Sequence, residues 1–319
     1  MTEMLVQSGF FILGLVGLSF GAEGLVKGSS RIAKALGVNP LVIGLTIVAF
    51  GTSSPELVVS LLAAIKKSEG IAIGNIIGSN IANIGLILGL SALVSPLKVR
   101  STVVRHDLPV MIGVSVVFVC MLLDQEIGFF DGLILFLGLL GYVAFHLYDT
   151  MRVWKSNQTK TYETVSGKDR NWGMNLVMVM IGFALLIGGA HLMVSSGVVL
   201  ARMLRVSEVI IGMTLVSIGT SLPELATSVF CAIRKEGDML VGNIIGSNIF
   251  NIMCVIGTVG MVSPLGVDRS LLSVEVPVLL LFSFALLPFM KSGFILDRIE
   301  AGTLLGGYVS FITLLFWLS

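Results

Sequence analysis

Gly51 to Glu56 reads GTSSPE inside an apolar run, and Gly219 to Glu224 reads GTSLPE inside another. The octet GNIIGSNI follows each copy, first as Gly74 to Ile81 and then, unchanged, as Gly242 to Ile249. One offset of 168 residues relates both motifs. It also pairs Gly14 with Gly182, Gly21 with Gly189, Pro96 with Pro264 and Pro109 with Pro277. The chain therefore repeats itself once.

The surrounding composition is that of a membrane protein. Only 12% of the 319 residues are charged and 55% are hydrophobic, where a soluble domain carries roughly a quarter charged residues. Apolar runs predict spans near residues 9–26, 41–65, 71–94, 107–123, 128–148, 173–200, 208–233, 239–262, 272–290 and 299–318. Five spans per repeat is an odd number, so the second copy enters the bilayer upside down. The expected fold is an all-α integral membrane protein of ten transmembrane helices. Its two inverted five-helix repeats have helices 2 and 7 broken at the prolines, an arrangement found in secondary transporters. The expected divisions are 1–148 for the first repeat, 149–171 for a short cytoplasmic linker and 172–319 for the second repeat. The amino terminus lacks the basic region of a secretory signal, so the first run is expected to remain as a span.

With both termini outside, the inside loops hold 15 of the 20 Lys and Arg residues, which favours that orientation in a cell (inner) membrane. No basic run interleaved with aromatics suggests nucleic acid. Cys120, Cys231 and Cys254 are scattered through apolar runs and read as small core residues. No HExxH or Ser/His arrangement points to an enzyme, and two pseudo-symmetric halves argue against a continuous pore. No cofactor or protein partner is implied.

Within GTSxPE the chemistry is specific. Pro55 and Pro223 remove a backbone bond to Gly51 and Gly219, and a loosened turn survives in lipid only where protein or a lined cavity satisfies it. Glu56 and Glu224 lie deep in spans that contain no Lys or Arg to pair with, so a bound cation is the expected counter-charge. Asn75, Ser79 and Asn83 share one face of the next helix, as do Asn243, Ser247 and Asn251. Asn80 and Asn248 lie about 100° away and are expected to bond between helices. Such an all-oxygen set suits a hard cation: Ca²⁺, or Na⁺ ions on the same oxygens. Paired glutamates are also able to carry protons.

At these residues the sequence resembles the sodium/calcium exchanger family, in particular its short prokaryotic members. The resemblance implies exchange of three Na⁺ inward for one Ca²⁺ outward by alternating access. It implies Ca²⁺ between Glu56 and Glu224 with the carbonyls of Thr52 and Thr220, and Asn83 and Asn251 lining that site. One Na⁺ site would use Ser53, Glu56, Ser79 and the carbonyl of Ala49. Its mirror would use Ser221, Glu224, Ser247 and the carbonyl of Ser217. Asn at both 83 and 251 speaks against potassium dependence, since some potassium-dependent relatives carry Asp at the latter. GTSxPE, where proton/calcium relatives carry a GNxxE-type motif, ranks an H⁺/Ca²⁺ antiporter second. The linker is too short for the regulatory loops of animal exchangers. Spans one and six, with Gly14, Gly17, Gly21, Gly182 and Gly189, would be the sliding elements.

Three further groups have plainer expectations. Glu23 snorkels or pairs with Lys27, and His191 at its matching position makes a local hydrogen bond. Asp107 and Glu275, also repeat partners, act as helix N-terminal charges.

Overall fold

The computed structural model describes residues 2–36, 38–158, 172–204, 217–267 and 269–318. Among them, eight helices are long and apolar enough to cross a membrane, and one bent pair adds a ninth span. In chain order these are α1 (Thr2–Leu36), the bent pair α2 (Pro40–Thr52) and α3 (Ser54–Ile65), and α4 (Glu69–Val94). Next come α5 (Val103–Asp124), α6 (Phe129–Gln158) and α7 (Trp172–Met203). Then α8 (Ser217–Thr220) and α9 (Leu222–Arg234) form the described part of the seventh span. Finally α10 (Gly237–Val262) is followed by α11 (Glu275–Lys291) and α12 (Arg298–Leu318). The expected start of the seventh span at residue 208 lies outside the described residues, as do 159–171 of the linker.

Both breaks fall at the third residue of the motif, Ser53 in the first copy and Ser221 in the second. Between α2 and α3 the axis bends by 41°, with Ser53 at φ −81°, ψ 3°; Ser221 repeats this at φ −89°, ψ 8°. Pro55 and Pro223 then sit in the first turn of α3 and α9, where a missing N–H costs nothing. α2 opens on Asn39-Pro40, whose Asn39 side chain accepts the Leu41 amide at 3.1 Å.

The two repeats are related in space as the offset requires. Gly14 lies against Gly189 and Met193 of α7, while Gly182 lies against Gly21 and Leu25 of α1. Gly21 meets Gly182 and Leu186, while Gly189 meets Gly14 and Leu18. Each contact is the other shifted by 168. With no side chain between them, α1 and α7 approach backbone to backbone, the close packing that small residues permit in lipid. Beyond Pro109 and Pro277 the offset becomes 169. Gln125 and Phe294 hold matching positive φ values of 66° and 55°, and Gly89 packs on Ala301 as Gly257 packs on Gly132.

Four two-residue strands supplement the helices: β1 (Leu97–Lys98), β2 (Glu126–Ile127), β3 (Leu265–Gly266) and β4 (Ile295–Leu296). β1 pairs with β4 and β2 with β3, both antiparallel. The first pairing joins the loops after spans three and nine, the second those after spans four and eight. Such loops share a membrane face only if an even number of spans separates them, as ten spans require. Arg100 to Asp238 at 2.8 Å, and the Gly266 amide donating to Glu69 at 2.7 Å, obey the same parity.

Several helices outrun their apolar stretches. α1 continues to Leu36 and α6 to Gln158, so the first part of the expected linker is helical. Hydropathy marks where lipid contact ends, whereas backbone bonding carries the helix on into water. Cys231 and Cys254 are buried, but Cys120 is exposed on the outer face of α5 rather than in the core.

Candidate functional site

Glu56 and Glu224 are both 0% exposed, although each belongs to an apolar span. Removing a carboxylate from water costs on the order of 20 kcal/mol in the idealised limit, and several kcal/mol after relaxation. The protein offsets only part of this. Ser221 donates its hydroxyl to Glu56 Oε1 at 3.1 Å, and Ser53 donates to Glu224 Oε1 at 3.2 Å. Ser79 adds a longer contact to Glu56 Oε1 at 3.5 Å. Glu56 Oε2 and Glu224 Oε2 are buried with no hydrogen-bond partner among the described residues.

The Ser53 and Ser221 bonds run between the repeats. Ser53 precedes Glu56 in the chain but faces Glu224, and Ser221 faces Glu56 together with Ser79 at 3.1 Å. The hydroxyls are exchanged between repeats because each break turns its serine toward the opposite half. Ser247 joins the same network, its hydroxyl 3.5 Å from that of Thr52.

The threonines are held by the neighbouring asparagines. Thr52 donates to Asn243 Oδ1 and Thr220 to Asn75 Oδ1, both at 3.3 Å. Each asparagine in turn donates to a serine, Asn243 to Ser228 at 3.3 Å and Asn75 to Ser60 at 3.0 Å. Ser60 and Ser228 were not singled out from the sequence, although serine recurs at matching positions four residues after each glutamate. That recurrence was the available signal. The Ala49 carbonyl accepts the Ser53 amide at 3.0 Å and, at 3.4 Å, the Thr52 hydroxyl. Ser217 begins α8, one turn before Ser221.

Asn83 and Asn251 open matching π turns, Asn83–Leu88 and Asn251–Ile256, a local widening that recurs at functional sites. Nothing in local periodicity predicts it. Both asparagines are buried; among the described residues neither polar atom of Asn83 has a hydrogen-bond partner, nor does Asn251 Oδ1. Asn251 donates to Asn80 at 2.9 Å, and Asn80 donates to the Asn248 carbonyl at 3.4 Å. The expected inter-helix role of Asn80 is therefore present. The free oxygens of Glu56, Glu224, Asn83 and Asn251 form a set of acceptors with no donor among the described residues. Such acceptors are suited to a hard cation.

Outside this cluster, Glu23 pairs with Lys27 as expected and also with Arg234 of α9. Asp107 differs from its expectation: it is buried and lies 3.4 Å from His146 Nε2 of α6. Its repeat partner Glu275 stays in the first turn of α11, as expected of a helix N-terminal charge.

The family model for the sodium/calcium exchanger protein matches residues 6–148 and 174–317, which covers both repeats. The chain belongs to the sodium/calcium exchanger family. Proteins of this exchanger family are cation/Ca²⁺ antiporters, not enzymes. The Escherichia coli inner membrane protein YrbG is 38% identical over 322 residues, 99% of this chain and 98% of that protein. Sodium/calcium exchanger MaX1 of Methanosarcina acetivorans is 34% identical over 344 residues, 96% of this chain and 97% of that protein. A solved structure of the sodium-calcium exchanger NCX_Mj soaked with Na⁺ and Ca²⁺ matches with a TM-score of 0.84 at 32% identity. It covers 97% of this chain and 98% of that one. This exchanger is thus a multi-pass membrane protein with the two-repeat fold.

Proposed function

We propose that the protein exports Ca²⁺ from the cytoplasm, driven by Na⁺ entry, with both termini outside the cell. The observation that carries this reading is the pair of fully buried glutamates, each with one oxygen held by the opposite repeat and one free. Two negative charges compensate one Ca²⁺ or two monovalent cations, so the ions compete for the same oxygens. In this reading Ca²⁺ takes Glu56, Glu224 and the carbonyls of Thr52 and Thr220, beside Asn83 and Asn251. Following the hydrogen bonds of Ser53 to Glu224 and Ser221 to Glu56, one Na⁺ site in this reading comprises Ser53, Glu224, Ser247 and the Ala49 carbonyl. The other comprises Ser221, Glu56, Ser79 and the Ser217 carbonyl. Partial unwinding supplies the carbonyls and buried glutamate supplies the charge.

The test is ⁴⁵Ca²⁺ uptake into proteoliposomes loaded with Na⁺, with K⁺, or carrying only a pH gradient. Uptake driven by internal Na⁺ alone is expected; uptake driven by the pH gradient and indifferent to Na⁺ would falsify the sodium reading in favour of H⁺/Ca²⁺ exchange. The grouping has its own check. Ser53→Ala is expected to weaken Ca²⁺ or Na⁺ half-saturation by about tenfold, the worth of one hydrogen bond to a charged group. In a double-mutant cycle that loss should couple to Glu224→Asp more strongly than to Glu56→Asp. Equal coupling would restore the uncrossed sites.

A further inference from the structure

The two repeats are alike in sequence but differ in how their outer helices close. α1 packs along α9, where Pro223 is buried and Ala226 is half-buried. The mirror pair is α7 and α3. There a crevice of about 310 Å³ stands between the helices, lined by Ser54, Pro55, Val58, Ile187, His191 and Gly219. Pro55 is half-buried and Val58 is 55% exposed. The crevice reaches the broken turns of both repeats, although neither glutamate lines it and both are buried, so the α7–α3 seam is the looser of the two mirror-related seams.

The charges differ in the same sense. Glu23 of α1 accepts from Arg234 at the end of α9 at 3.0 Å and also pairs with Lys27. Ser30 of α1 donates to Glu236 just beyond α9 at 3.0 Å. The 168-residue offset carries Glu23, Lys27, Arg234 and Glu236 to His191, Ser195, Lys66 and Ser68. No carboxylate stands among those four. Closing α7 onto α3 would bring His191 toward Lys66, with no ion pair to gain.

Resting on the alternating-access reading above, we propose that Glu23 and Arg234, braced by Lys27, are positioning residues that form a one-sided latch. The latch holds α1 shut against α9 and so favours the state in which the α7–α3 crevice is open. Neither residue touches the transported ions; they set which side of the site is accessible. Their side chains are 29% and 48% exposed, and exposed pairs contribute modestly, so the bias is a matter of several-fold.

The experiment reads crevice opening directly. Val58→Cys is placed in a Cys120→Ser background, where the remaining Cys231 and Cys254 are buried. Its reaction rate with a membrane-impermeant methanethiosulfonate reagent is measured in reconstituted protein. Glu23→Gln and Arg234→Gln are each expected to slow labelling about three- to fivefold, in line with the population-shift relation. The exchanged pair Glu23→Arg with Arg234→Glu should restore it. His191→Glu, facing Lys66, should build a latch on the other side and slow labelling likewise. No labelling of the Val58→Cys protein itself, or rates indifferent to all of these changes, overturns the latch. Failure of the exchange reading looks different: the rates shift as expected, but no Na⁺-dependent ⁴⁵Ca²⁺ flux is found.

Discussion

Glu56→Gln and Glu224→Gln are each expected to reduce Ca²⁺ exchange by at least about 100-fold while leaving the folded protein intact. Glutamine keeps the shape and one carbonyl acceptor for the crossed serine, so Ser221 and Ser53 retain their partners. What disappears is one of two buried negative charges. A divalent ion then enters a site that compensates half its charge, and removing one member of a buried charge pair costs about 3–5 kcal/mol. That corresponds to two to three or more powers of ten in affinity, at about 1.4 kcal/mol per tenfold. Thermal unfolding gives a second readout. Added Ca²⁺ should stabilise the wild-type protein by mass action and leave either variant almost unmoved. The ion-free variants should be at least as stable as the ion-free wild type, because an uncompensated buried charge has been removed. Variants that still exchange Ca²⁺ at wild-type rates would move the site elsewhere.

The second large effect belongs to the seam between α1 and α7. A Cβ added at Gly182 would stand 2.6 Å from the Leu25 amide nitrogen and 3.0 Å from the Gly21 carbonyl. Both are backbone atoms and have no rotamer by which to yield. Gly182→Leu is therefore expected to force the helices apart and lower the apparent unfolding temperature by about 2–5 °C. This follows from an overpacking cost of about 1–3 kcal/mol and the usual scaling with chain length. Transport should fall with it. Gly188→Leu is the control: it lies on the exposed side of α7, and nothing stands within 4 Å of its added Cβ. Equal loss at both positions would mean that glycine matters there for helix flexibility rather than for contact.

Much of this architecture was legible in the sequence, for identifiable reasons. Lipid demands long apolar runs, so nearly every span could be read from hydropathy. An odd number of spans in each copy made inversion a matter of counting. Glu56 and Glu224 stood out because a carboxylate in such a run has few tolerable explanations. What local pattern does not encode is which half a side chain turns toward. Ser53 and Glu56 are neighbours in the chain, yet the turn at Ser53 sends them to different partners. The Asp107–His146 contact joins residues on two different helices, and nothing in either segment announces the other. The π turns at Asn83 and Asn251 add one residue to a turn without altering the apolar periodicity on either side. The offset of 168 likewise ran only to Pro277; beyond it, the change to 169 shows in backbone geometry, at Gln125 and Phe294.

The crossed serines also bear on how small such a protein can be. Each five-span half owns a glutamate but borrows a hydroxyl that bonds it, so a gene for one half would encode a buried glutamate without that partner. The missing atoms lie on a copy inserted the other way up. A functional ancestor built from a single half would have needed to enter the bilayer in both directions and meet itself antiparallel. Joining the two copies in one polypeptide fixes that encounter at a one-to-one ratio. It also frees each copy to diverge, as Glu23 and His191 have done.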